Sequence, residues 1–151
     1  MLQSEQHQKM QHYFPMPNEI FHLDLSDGAI LVYAFLMYCE DRKTYQCYPS
    51  YATIGKAIKR SENSVAKYVR ELEEKRLICT EPTEVTLKDG RRHNGSLLYT
   101  IRPIQEAVEH DYEQRLKRFQ AEQYRQKALE RWEKRYGNQG SKIKQEKESA
   151  P

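Results

Sequence analysis

Residues 50–76 read SYATIGKAIKRSENSVAKYVRELEEKR, and this stretch predicts two helices joined by a short turn. Ser50 and Ser61 are each suited to begin a helix, because a serine hydroxyl can accept a hydrogen bond from a free N–H of the first turn. Apolar side chains follow each serine at helical spacing, at positions 51, 54 and 58 and again at 65, 69 and 72. We therefore expect a short helix over residues 50–58 and a second helix over residues 61–76.

A connection of two to three residues forces two helices to cross sharply, which is the geometry of a helix-turn-helix. The second helix of such a pair can enter the DNA major groove and read base edges near its N-terminus, while both N-termini can donate N–H groups to phosphate. An ordinary bundle of two amphipathic helices is the alternative. The expected DNA contacts in this region are Ser50, Tyr51, Lys59, Arg60, Ser61, Glu62, Asn63, Ser64, Lys67 and Arg70.

A β-hairpin is predicted after the second helix. Residues 77–79 and 85–87 favour an outgoing strand, the Asp89-Gly90 pair is typical of a hairpin turn, and residues 97–101 favour the return strand. A cationic hairpin beside a recognition helix is a wing that can reach a neighbouring groove or the backbone, although a charged, soluble turn is the alternative. The tip adds four expected DNA contacts, Lys88, Arg91, Arg92 and His93.

The N-terminal part is expected to contain one further helix. Residues 1–13 are Gln-rich and predict disorder, and residues 14–25 predict an extended segment because Pro15 and Pro17 disfavour an early helix. Ser26 is suited to cap a helix that is apolar from residue 29 to residue 39. The domain that these elements form is expected to span residues 14–103.

The C-terminal part predicts a long, charged helix over residues 104–136, followed by a disordered tail over residues 137–151. The apolar residues of the helix keep no heptad repeat, so a regular coiled coil is not supported. They do form a stripe that needs a partner surface. We therefore interpret residues 104–136 as a dimerisation or docking arm.

The composition limits the possible function classes. The chain has 151 residues, 38% of them hydrophobic and 31% charged, which indicates one domain with a polar tail. No run of about 18 apolar residues occurs, which argues against a membrane span or a membrane partner. The three cysteines lack CxxC spacing, which argues against a zinc finger and favours a cytoplasmic location. No phosphate loop, metal-ligand pair or nucleophile motif occurs in the sequence, so we expect no enzyme activity, cofactor or metal site.

Some single residues carry expectations of their own. The cysteines are interpreted as core or near-core residues, with Cys39 in the first helix and Cys79 in a strand, and exposure is the alternative for Cys47, which stands in a polar loop. Tyr33, Tyr48 and Tyr51 are expected to fill the core.

Residues 14–103 resemble the winged helix-turn-helix domains of Gram-positive plasmids, phages and integrative elements, especially the replication-initiator type. The similar stretches are PNEIFHLDLSDGAILVYAFLMYCEDRKTYQCYPS, YATIGKAIKRSENSVAKYVRELEEKRLI and NGSLLYTIRP. The resemblance implies a mainly helical α+β fold with a helix, a short helix, a recognition helix and a β-hairpin wing, followed by the long C-terminal helix.

The chain departs from that family at two positions. The family often has glycine in the turn, where this chain has Lys59, and at the end of the recognition helix, where it has Arg76. Because other residues are strained at positive φ, we expect the exact exit of the recognition helix to differ or Arg76 to take another cap.

The leading interpretation is a sequence-specific, double-stranded DNA-binding protein of a bacterial mobile element, acting in replication initiation or control or in transcriptional regulation. A homodimer is expected because two-fold DNA sites match dimeric readers. The alternative is a winged-helix adaptor with little DNA affinity in a replication or conjugation complex. Its C-terminal helix would bind a replication or conjugation protein, and the acidic residues Glu62, Glu71, Glu73 and Glu74 on the recognition helix favour it.

Overall fold

The computed structural model describes residues 13–149, with side chains for residues 13–137, 139 and 149. A short 3-10 helix, Asn18–His22, comes first in this part of the chain. The predicted disordered N-terminus lies outside the described residues, except for Tyr13. The helices and strands that follow are α1 Asp27–Cys39, β1 Gln46–Cys47, α2 Tyr51–Ile58, α3 Glu62–Glu74, β2 Ile78–Glu81, β3 Glu84–Thr86, β4 Arg92–Asn94, β5 Leu98–Ile101 and α4 Ile104–Glu148. This order is a mainly helical α+β winged helix-turn-helix, as the sequence predicts.

The 3-10 helix lies within residues 14–25, which the prolines predict to be extended, and the prediction is wrong for residues 18–22. Proline is tolerated at the start of a helix, where its missing N–H would have no helical partner. Pro17 stands directly before the first turn, and its carbonyl accepts the N–H of Ile20 at 3.3 Å. Ile20 is fully buried, so this turn fixes the N-terminal segment onto the core.

Helix α1 begins where the sequence predicts. The hydroxyl of Ser26 accepts the N–H of Ala29 at 3.3 Å and caps the helix. One side of α1 is buried, while Leu31 and Tyr38 on its outer side are exposed. The buried side packs against the two following helices and β5. The fully buried large side chains of the core are Tyr33, Tyr99, Ile20, Leu36, Ile54, Leu72, Leu77, Val32, Val65 and Val69.

Two non-glycine residues adopt the left-handed conformation at helix ends. Lys59 has φ 58° and ψ 48°, and the next residue, Arg60, donates its N–H to the carbonyl of Gly55 at 2.9 Å. Arg76 has φ 59°, and Leu77 donates to the carbonyl of Leu72 at 3.0 Å. The expectation of a different exit at Arg76 is therefore wrong, since both helices keep the cap that glycine usually forms.

These caps form because the free energy gained from burial and hydrogen bonding exceeds the cost of the left-handed backbone. Left-handed backbone costs a residue with a side chain about 1–2 kcal/mol. Burial of Leu77 and the hydrogen bond that closes each cap compensate for that cost. A glycine is required within α2, because a Cβ at Gly55 would stand 2.6 Å from the carbonyl oxygen of Arg60.

The wing consists of two antiparallel pairs rather than one uninterrupted hairpin. Strands β1, β5 and β2 form a sheet in the order β1-β5-β2, and β3 pairs with β4 in a second sheet. The outgoing strand breaks at Pro82, which has no N–H to donate. Across the break, the N–H of Gly95 donates to the carbonyl of Thr83 at 2.7 Å, so the hairpin continues through the bend.

The two-residue strand β1 explains why Cys47 is buried and Tyr48 is exposed. Its pairing with β5 places Cys47 opposite Tyr99. Cys47 is 5% exposed and its thiol donates to the carbonyl of Leu36 at 3.6 Å, so the core interpretation holds and the alternative of an exposed thiol is wrong. Neighbouring residues of an extended chain face opposite sides, and Tyr48 is accordingly 74% exposed instead of filling the core.

Helix α4 continues to Glu148, beyond the predicted end at residue 136. A glycine costs a helix only about 1 kcal/mol and does not by itself end one, so Gly137 is accommodated. The expected disordered tail is therefore helical as far as residue 148, and residues 150–151 lie outside the described part. The chain divides into two compact units within α4, one ending at Asp111 and the other starting at Tyr112. Among the described residues, no helix combines the length and apolar character that crossing a bilayer requires.

Candidate nucleic-acid interface

The predicted serine caps are both present. Ser50 accepts the N–H of Thr53 at 3.1 Å, and Ser61 accepts the N–H of Ser64 at 3.2 Å. The hydroxyls of Ser61 and Ser64 also lie 3.0 Å apart and share a hydrogen bond. Ser64, an expected base contact, is therefore half-buried and engaged in the cap of its own helix.

The outer side of α3 presents an amide and two cations to solvent. Asn63, Lys67 and Arg70 are exposed, on the opposite side of the helix from the buried valines and leucine. The Nε of Arg70 donates to the carbonyl of Ala66 at 3.4 Å, a contact within the same helix. An asparagine side chain can bond adenine in a bidentate manner, and an arginine can do so with guanine.

Two of the four glutamates on α3 are bonded within the fold. Glu71 accepts the N–H of Ser26 at 2.8 Å and its hydroxyl at 2.5 Å. Glu73 accepts a hydrogen bond from the hydroxyl of Thr80 at the start of the wing. The face that could meet DNA is therefore less acidic than the sequence indicates, since only Glu62 and Glu74 are exposed.

Tyr51 lies at the first turn of α2, next to α3. Burial raises the pKa of its phenol, the charge of Glu73 raises it further, and the charge of Arg70 lowers it. The ring is half-buried and packs against the core. The sequence predicts Tyr51 both as a core residue and as a DNA contact. In the structure its ring contacts the core, and its phenol is close enough to Arg70 of α3 for that charge to lower its pKa.

The wing tip is a tight, exposed turn. Gly90 has φ 83°, a conformation that favours glycine, and Leu87 donates its N–H to the carbonyl of Arg91 at 2.8 Å. His93 stands opposite Val85 in the β3–β4 pair and is exposed, as is Lys88. The four expected contacts of the tip therefore lie at the solvent-facing end of the wing.

Three arginines of the expected interface form surface ion pairs. Arg60 lies 3.5 Å from Asp27, Arg91 lies 3.3 Å from Asp89, and Arg92 lies 3.6 Å from Glu84. Exposed pairs of this kind contribute about 0–1 kcal/mol, so a phosphate group can displace the carboxylate at little cost. Within residues 13–149, the structure shows no such pair for Lys59, Lys67 or Lys88.

A cavity of about 450 Å³ brings the helix-turn-helix and the wing base together. Its walls come from residues 50–52, from Glu62 and from residues 94–97, and Tyr99 also contributes. Ser50, Tyr51 and Glu62 thus meet the wing base, whereas the cations of the wing tip do not line this cavity. Asn94 and Ser96 line this cavity but are not among the predicted contacts, and the small polar run before the return strand is the sequence signal for them.

Residues 23–78 match a family model described as a helix-turn-helix domain, and this range contains α1, α2 and α3. No curated protein matches the sequence. A possible transcriptional regulator from Methanosarcina mazei Go1 is 20% identical with a TM-score of 0.43, over 74% of this chain and 82% of that one. The S. aureus MepR–DNA complex is 18% identical with a TM-score of 0.35, over 86% and 94%. Residues 23–78 therefore combine the sequence match with the geometry of a helix-turn-helix.

Proposed function

We propose that this chain is a sequence-specific, double-stranded DNA-binding protein whose helix α3 enters the major groove. One observation carries the proposal: Asn63, Lys67 and Arg70 are exposed together, while Glu71 and Glu73 are bonded to Ser26 and Thr80. Two of the four carboxylates of α3 are thus engaged within the fold, while Glu62 and Glu74 stay exposed. This engagement lowers the repulsion between α3 and phosphate, which supports DNA reading over an acidic docking helix.

The cations around α3 supply the affinity that does not depend on sequence. Lys59 and Arg60 lie in the turn before α3, and Lys88, Arg91 and Arg92 lie in the wing tip. Each phosphate neutralised by such a side chain releases counterions, which favours binding at low salt. We assign the wing tip to the phosphate backbone or the minor groove.

We further propose that the protein belongs to a bacterial mobile element, where it acts in replication initiation or control or in transcriptional regulation. The resemblance of residues 14–103 to plasmid and phage domains supports this role. A homodimer fits because two copies would read two half-sites. In the unit that starts at Tyr112, exposed apolar side chains such as Leu116, Phe119 and Trp132 offer a surface for a second copy.

The test is selection from a random duplex DNA pool at about 150 mM salt, where weak phosphate binding is largely suppressed. An enriched inverted repeat would support a dimeric, site-specific reader. Retention without a motif would indicate binding to the backbone alone. No retention would refute the proposal and favour the adaptor, whose exposed C-terminal apolar residues would then be the docking surface.

Two arginine variants separate base reading from general charge. Arg70→Ala is expected to weaken binding by about 1–3 kcal/mol and to relax the preference at one base position. Arg118→Ala removes an exposed arginine of α4 and should leave the selected motif unchanged. If Arg70→Ala lowers affinity equally for every sequence, Arg70 contacts phosphate only.

A further inference from the structure

A second cavity, of about 340 Å³, lies where the end of α1 meets the end of β5 and the start of α4. Its volume falls in the range of small-molecule sites, which begins at about 300 Å³. Its lining consists of Pro17, Tyr33, Met37, Glu40, Tyr45 and residues 101–104. Arg102 is a cation of this lining, and its guanidinium donates to the carboxylate of Glu106 at 2.8 and 3.0 Å, so its charge is already paired. All of the lining residues belong to the unit that ends at Asp111.

The cavity contains one carboxylate without a full set of partners. The Oε2 atom of Glu40 is buried and has no hydrogen-bond partner in the part of the chain that the structure describes. Burial raises the pKa of this carboxyl, and the charge of Arg42 lowers it. Arg42 forms no salt bridge with Glu40 among the described residues. A buried carboxylate oxygen without a hydrogen-bond partner is costly, and a cation beside it would remove much of that cost.

Glu40 also stands at the unfavourable end of a helix. It is the C-cap of α1, and the last turn of α1 has no basic residue. The C-terminal end of a helix carries partial negative charge, so a second negative charge there is destabilising. A bound cation would interact favourably with both the carboxylate and the helix end.

The rest of the wall fits an apolar body. Tyr33 is 1% exposed, and burial together with the charge of Glu40 raises the pKa of its phenol to about 12. Tyrosine rings attract cations through their faces, and methionine and isoleucine side chains accommodate irregular apolar groups. Met37, Ile101 and Ile104 supply this apolar surface.

We propose that this cavity binds a small organic monocation with an apolar body, such as an aryl quaternary ammonium, with Glu40 as its counter-ion and Tyr33 and Tyr45 beside it. An anion would meet the charge of Glu40, and a neutral apolar molecule would leave that charge unpaired. This site does not depend on DNA binding, because none of its residues belongs to the outer face of α3 or to the wing tip.

The test uses the full chain and two probes of the same shape, the cation phenyltrimethylammonium and the neutral tert-butylbenzene. Binding is followed by NMR through the methyl groups of Met37 and Ile104. Saturable shifts of both methyls are expected with the cation at concentrations up to about 10 mM, with the neutral probe binding at least about tenfold more weakly.

Glu40→Gln keeps the shape of the side chain and removes its charge. We expect it to weaken cation binding by about tenfold or more and to leave the affinity for tert-butylbenzene unchanged. The control is Glu74→Gln, which changes the exposed last residue of α3 and should bind the cation like the parent. Far-UV circular dichroism establishes that both variants are folded.

Three results would overturn the proposal. They are equal affinity for the two probes, unchanged cation binding in Glu40→Gln, and no saturable shift of the two methyls up to about 10 mM cation. DNA selection is scored separately, so failure of the cation site leaves the DNA-binding proposal standing.

Discussion

The carboxylate of Glu71 connects helix α3 to the start of α1, and its replacement by glutamine should destabilise the fold. Glu71 accepts two hydrogen bonds from Ser26, at 2.8 Å from the N–H and at 2.5 Å from the hydroxyl. Hydrogen bonds to a charged acceptor contribute about 1.5–3 kcal/mol each. The same carboxylate lies at the positive end of α1, which adds about 0.3–1 kcal/mol.

Glutamine keeps one of these interactions in a weaker form. Its carbonyl can accept one hydrogen bond worth about 0.5–1.5 kcal/mol, but its NH₂ group cannot accept the second. Because the contact is only partly buried, we expect a net loss of about 2 kcal/mol in the free energy of unfolding. With a urea m-value of about 2 kcal/mol per molar, the midpoint should fall by about 1 M.

Urea unfolding followed by the near-ultraviolet circular dichroism of tyrosine measures this loss in the unit that holds Tyr33 and Tyr99. The control Glu74→Gln removes an exposed carboxylate from the same helix and should change stability by less than about 0.5 kcal/mol. A double-mutant cycle with Ser26→Ala should give a coupling energy above about 1 kcal/mol. A Glu71→Gln variant as stable as the Glu74→Gln control would refute the reasoning.

Two further predictions concern packing and a buried thiol. Gly55→Ala places a Cβ 2.6 Å from the backbone oxygen of Arg60 and should cost about 2–3 kcal/mol. Gly137→Ala places a Cβ 4.0 Å from the Cβ of Glu133, an ordinary contact, and should stabilise its helix by up to about 1 kcal/mol. Thermal unfolding of the two variants checks the opposite signs. Burial, with smaller effects from Cys39 and Glu40, raises the pKa of Cys47 from 9.0 to about 12, so native Cys47 should resist alkylation at pH 8 until the protein unfolds. The folded state holds this proton more tightly, so its contribution to stability is complete below pH 9.0 and is lost as the pH rises towards about 12, a loss that Cys47→Ala should lack. Rapid alkylation of native Cys47 at pH 8 would contradict its burial.

The helices were predictable because their signals are local. Ser26, Ser50 and Ser61 each precede a helix and each cap it, and the apolar spacing that follows sets the buried side. The Asp89-Gly90 turn was also readable, since positive φ at that position favours glycine. The three helix starts and this turn were therefore predicted correctly.

The features that the sequence did not reveal depend on contacts between distant residues. Strand β1 has two residues and exists because β5 pairs with it, so no periodic pattern announces it. The burial of Cys47 follows from that pairing. Likewise, α3 carries four glutamates that look alike in sequence, and only the approach of Ser26 and Thr80 distinguishes Glu71 and Glu73 from the exposed pair.

Lys59 and Arg76 adopt the left-handed backbone conformation at the ends of α2 and α3, and this sets thermal stability against the proposed DNA affinity. Glycine at Lys59 or Arg76 would relax the backbone and remove a positive charge from the flank of the proposed reading helix. The chain thus carries about 1–2 kcal/mol of conformational strain at each position, and it keeps a cation there. Selection for a more heat-resistant variant would tend to replace these two residues, and the variants it yields would bind the proposed DNA site less tightly.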